Sequence, residues 1–138
     1  MKYRELKSYK FQLFETVRIE TGLEVAKDIV ESFIGLSKTG LLTIFAGYAW
    51  DGATNAFNSQ NVILPSLAHD ALCQLMRKGA LDISYLNKVH EIFYNLLLEQ
   101  GTNRFRAWYM YQAVKLFGKK FAIPTNKKEE QEKILEIS

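Results

Sequence analysis

The 138 residues hold one cysteine, two prolines and two histidines, and each scarcity excludes something. A lone thiol, Cys73, cannot close an internal disulfide, so the fold needs no oxidising compartment and cytosolic synthesis is expected. With so little proline the chain offers few fixed breaks, and glycine must do most of the punctuation. No apolar run approaches the ~20 residues of a membrane-spanning helix, and the charged stretch from Met1 to Lys10 lacks the apolar core of an export signal. Neither charge sign dominates: 18 basic residues face 15 acidic ones, net +3 and spread along the chain, so nucleic acid is not favoured as a partner. Internal repeats and low-complexity tracts are also missing.

What is present suffices for one domain. An apolar content of 48%, with aromatics making up 13% of all residues, can build a core in a chain of this size. Phe11, Leu13, Val17 and Ile19 alternate with polar residues and predict a half-buried strand over Phe11 to Glu20. A second extended stretch, Ile29 to Leu36, leads through Ser37-Lys38-Thr39-Gly40 into a third, Leu41 to Tyr48, as a hairpin. Trp50 to Asn61 has no periodicity and the composition of a loop. Three helices are expected after it, about Pro65 to Lys78, Asp82 to Gln100 and Asn103 to Phe117, each stopped by a glycine. The expected fold is α+β: a small antiparallel N-terminal sheet of about three strands followed by three helices. Residues 1–123 form a single domain and residues 124–138 a charged tail.

Chemistry concentrates between Gly47 and Arg77. On the first helix Leu67, Ala68, Ala71, Leu72, Leu75 and Met76 make one apolar arc, with His69 at its margin and Asp70 turned further round. Partial desolvation there can tune His69 for proton transfer, whereas Asp70 can reach the preceding loop. The competing reading is a hydrogen-bonded structural histidine and an acid held by the helix dipole and Arg77. In the loop, Asp51 lies beside Gly52, where a turned backbone can offer oxygen ligands to a hard cation, and Tyr48, Trp50, Gly52 and Thr54 are candidate substrate contacts. The plain alternative is a capped turn with Trp50 plugging the core. His90 lies on the inner side of the second helix, either joining Asp51 and Asp70 as a metal ligand or bonded to Tyr94 or Tyr111. Ser66 reads as a helix cap or first-turn residue, Cys73 as an inert small hydrophobe, and the aromatic stripe Trp108, Tyr109, Tyr111 and Phe117 as packing.

Gly47-Tyr48-Ala49-Trp50-Asp51-Gly52-Ala53, Ser66-Leu67-Ala68-His69-Asp70-Ala71-Leu72 and Tyr111-Gln112-Ala113-Val114-Lys115-Leu116-Phe117-Gly118 together resemble the phage and prophage family of unknown function DUF1353, over about residues 10 to 120. The resemblance implies phage origin and brings no settled activity. It also brings two departures, because the family's usual aromatic after the His-Asp-x-Leu stretch is Cys73 here and its usual acid on the second helix is His90. A more distant motif is similar to that of secreted phospholipases A2, which would cast His69 as a base activating water and Asp70 as a calcium ligand. The disulfides and close-set glycine loop of those enzymes are missing.

Two functions follow. One is a phage-encoded, metal-assisted hydrolase of a phosphoester or other ester, acting on a nucleotide signal, lipid or cell-envelope substrate in the host cytoplasm. In it His69 and Asp70 are catalytic, Asp51, Asp70 and His90 hold Ca, Mg, Mn or Zn, and the substrate is a small molecule or lipid. The other is a non-enzymatic accessory or virion protein, or a protein that sequesters a small ligand, with the His-Asp pair structural.

Overall fold

The computed structural model describes residues 1–6, 10–50 and 60–117. Asp51, Gly52, Thr54 and the tail 124–138 lie outside the described residues. Among the described residues seven strands precede three helices: β1 (Tyr3–Leu6), β2 (Lys10–Leu13), β3 (Val17–Glu20), β4 (Ile29–Glu31), β5 (Ile34–Leu36), β6 (Leu41–Ile44), β7 (Ala49–Trp50), α1 (Gln60–Arg77), α2 (Leu86–Glu99) and α3 (Arg104–Phe117). The α+β class with an N-terminal antiparallel sheet and three helices is as expected, but there are two sheets. One has the order β1-β2-β7 and the other β3-β6-β5-β4.

The strand expected over Phe11 to Glu20 divides between them. Phe11, Leu13, Val17 and Ile19 keep one inward phase, but Glu15 occupies that phase between them, and the chain bends there and changes sheet. The bend is stitched by Phe14 N–H donating to the Lys2 carbonyl at 2.8 Å and Ala46 N–H donating to Thr16 Oγ1 at 3.2 Å.

The stretch from Ile29 to Leu36 is likewise two strands, β4 and β5, paired from Ile29 opposite Leu36 to Glu31 opposite Ile34. Its two-residue turn takes a positive φ of 49° at Ser32, a conformation usually left to glycine or asparagine. The Ser37–Gly40 hairpin forms as expected, with β5 and β6 antiparallel. Gly40 is obligatory there: φ is 98°, and a Cβ would lie 2.5 Å from the backbone nitrogen of Leu23.

Helix α1 starts at Gln60, five residues before the expected Pro65. Val62 and Ile63 are buried, Val62 against Phe93, Leu97, Ala107 and Met110, and this packing favours helix upstream of the proline. Pro65 is the sixth residue of α1, past the N–H groups that have no intrahelical partner, so the helix forgoes one i→i−4 hydrogen bond there. The expected apolar arc, from Leu67 to Met76, is buried against Leu13, Ile34, Leu42 and Ile44 from the sheets. A 3₁₀ turn, Ile83–Tyr85, precedes α2, its start fixed by Ser84 N–H donating to Asp82 Oδ2 at 3.0 Å. Asn103 caps α3 by accepting from Arg106 N–H at 2.8 Å. Helix α2 packs on both α1 and α3. No helix among the described residues is long and apolar enough to cross a membrane.

Candidate functional site

His69 is carried by the middle of α1, among residues whose apolar faces are committed to the core, and is itself buried. His90 sits one turn into α2 on the face turned toward α1 and is equally buried. Their rings meet directly: His69 Nε2 lies 3.0 Å from His90 Nδ1, with ring planes 21° from parallel. Phe93, one turn beyond His90, also packs on the His69 ring at 5.2 Å between centroids, tilted by 57°.

Burial, then the neighbouring His90, pushes His69 down from an ordinary 6.5 to about 3. Burial, then the charge of Lys115 on α3, lowers His90 as well. Both imidazoles are therefore neutral at pH 7, each with one N–H and one lone pair, and the bond between them contains a single proton. If His69 donates, His90 carries its single N–H on Nε2; if His90 donates, its Nε2 is a bare lone pair. Either way His90 Nε2 is buried without a hydrogen-bond partner among the described residues.

Cys73, one turn along α1, is buried with its Sγ 3.9 Å from each nitrogen of His69. Asp70 is only half-buried, and the helical period turns it about 100° from His69. Asp51, Gly52 and Thr54 lie outside the described residues, so the expected set of Asp51, Asp70 and His90 is represented by its last two members. Among the described residues no three His, Cys, Asp or Glu side chains are gathered to hold a metal ion.

Tyr48 and Trp50 are core residues. Trp50 packs on Phe11 at 5.3 Å and on Tyr48 at 6.3 Å, and its Nε1–H donates to Ser66 Oγ at 3.4 Å. Tyr48 donates its hydroxyl proton to Gln74 Oε1 at 3.2 Å. These two bonds tie β7 and the residue before it to α1. Ser66 is no cap: it lies inside α1 and donates to the Ile63 carbonyl at 2.8 Å.

The helix wheel correctly places His69 and His90 on facing inner margins. It misses that they bond to each other. Tyr94 and Tyr111, named above as partners for His90, instead stack together at 5.2 Å between centroids. Phe93 was legible as an inward neighbour of His90 but not as a wall of His69. No family model, curated protein or solved structure matches this chain, so the likeness to the phage family stands on its quoted motifs alone.

Proposed function

We propose that this chain is a non-enzymatic phage accessory or virion protein, in which the His69–His90 pair clamps α1 to α2. The observation that carries the reading is the 3.0 Å imidazole bond buried between the helices. A general base works best with a pKa near the working pH. His69 at about 3 is protonated in roughly one molecule in ten thousand at pH 7, and one of its two ring nitrogens, Nε2, is taken up by His90. A buried hydrogen bond between two helices favours one packing arrangement of them, a structural role that needs no substrate. The host cytoplasm or the virion is the location this reading implies.

One observation favours a second reading, the metal-assisted hydrolase. Metal ligands must be neutral imidazoles, as both histidines are, and His90 Nε2 is a buried nitrogen without a hydrogen-bond partner among the described residues. In that reading His90 joins Asp51 and Asp70 around Ca, Mg, Mn or Zn, with a phosphoester or other ester as substrate. Melting with EDTA and then with each cation, beside turnover of a chromogenic phosphodiester, separates the two. The clamp reading expects an unchanged midpoint and no turnover, with His69→Ala chiefly lowering the melting temperature. A metal-dependent midpoint together with turnover lost in His90→Ala would overturn it.

A further inference from the structure

Helix α3 is apolar on two sides. Its inner side, Ala107, Met110 and the partly buried Val114, packs with Phe93 and Leu97 of α2. Its outer side carries Phe105, Trp108, Tyr109 and Leu116, which are 78%, 53%, 53% and 74% exposed. At 100° per residue these four fall within about one third of the circumference, on one stripe. A helix apolar all round is ordinarily covered all round.

The charges beside the stripe are sorted. Arg104 and Lys115 lie along one edge and Arg106 along the other, and Lys119 and Lys120 follow in the sequence. No acidic residue occurs between Glu99 and Glu129. The chain's modest net charge of +3 thus hides a strongly cationic stretch. Like charges along both edges oppose pairing of this stripe with a second copy of itself. The exposed Val30 of β4, by contrast, has Asp28 and Glu31 beside it in sequence and lacks this sorting.

From this pattern we infer that the outer face of α3 docks on an anionic lipid surface. Tryptophan, tyrosine and phenylalanine favour the interfacial zone, where a ring body sits among acyl chains and its polar edge meets headgroups. Arginine and lysine on both flanks lie level with the phosphates when the stripe is inserted, as in helices that lie in the plane of the interface. The inference is independent of the histidine pair and holds whether that pair is a clamp or a catalytic centre.

The test is flotation of the full chain with phosphatidylcholine vesicles, with and without phosphatidylglycerol, while following tryptophan emission. Binding should require the anionic lipid, weaken with salt, and shift the emission to the blue; Trp108→Phe should remove the shift, because Trp50 is already buried. Arg104→Gln and Lys115→Gln should each weaken binding about fivefold, the equivalent of ~1 kcal/mol for one basic residue at an anionic surface. Phe105→Ser with Trp108→Ser should abolish binding while leaving the melting temperature unchanged, which separates loss of docking from loss of fold. No binding to anionic vesicles at low salt would overturn the inference. So would binding indifferent to the double variant, a concentration-dependent dimer that the double variant dissolves, or tighter binding to single-stranded nucleic acid than to vesicles.

Discussion

The facing sides of α1 and α2 and the outer side of α3 use their side chains in opposite ways. Between α1 and α2, two polar rings are taken out of water and bonded to each other under Phe93. On α3, large apolar rings stand in water beside arginine and lysine. Desolvating an imidazole is costly unless its hydrogen bonds are replaced, so the first arrangement persists only while both histidines are present and neutral. The second contributes little to folding, because nothing in the described structure covers it. Stability should therefore be concentrated at the pair, and interaction with other molecules at α3.

Substitution at the pair should have the largest effect. His90→Ala or His69→Ala leaves a cavity and an unpaired buried nitrogen, and should cost about 2–4 kcal/mol in urea unfolding. A loss below ~1 kcal/mol would show that the bond holds nothing together.

Acid should come next. His69 is lowered in the folded state, so below 6.5 the unfolded chain binds a proton that the folded chain refuses. Stability from this group is full above 6.5 and falls as pH drops toward 3, by up to about 1.4 kcal/mol per pH unit. His90, also lowered, adds in the same direction. Denaturant midpoints that stay level from neutral pH down to about 4 would break this link.

Ser66→Ala, which removes the acceptor of the Trp50 Nε1–H bond, should cost about 1 kcal/mol. Trp108→Ser on α3 should change stability by less than about 0.5 kcal/mol, the smallest effect of the series. A large loss there would mean that the outer face supports the fold after all.

Much of this was legible in the residues, and the failures have local causes. The α1 arc was readable because six apolar side chains recur at helical spacing without interruption. The α3 start was readable from Asn103, and the β5–β6 hairpin from Gly40, whose close approach to Leu23 admits no side chain. The β4–β5 turn was hidden because Ser32 adopts positive φ without the usual glycine or asparagine. The sheet change at Phe14 to Thr16 was hidden because the apolar phase continues across it, with only Glu15 to mark the break. The early start of α1 depends on Val62 meeting α3, a contact made by residues more than forty positions apart.

The site was half legible for the same reason. Helical spacing gives the face on which a histidine lies but not its depth or its partner across a helix pair. His69 was placed at a margin where partial exposure would leave it basic; α2 covers it and makes it a poor base. Trp108 and Tyr109 were read as packing because aromatic residues usually are. Their exposure follows from α3 turning its inner side, not this one, toward α2 and Val62 of α1.

The most direct test of the clamp is an NMR pH titration of the two imidazoles with ¹⁵N-labelled histidine. The expected result is that His69 stays neutral down to about pH 5, in one fixed tautomer, with through-hydrogen-bond coupling between its Nε2 and Nδ1 of His90. A His69 ring that titrates near 6.5 and exchanges its proton freely with water would contradict it.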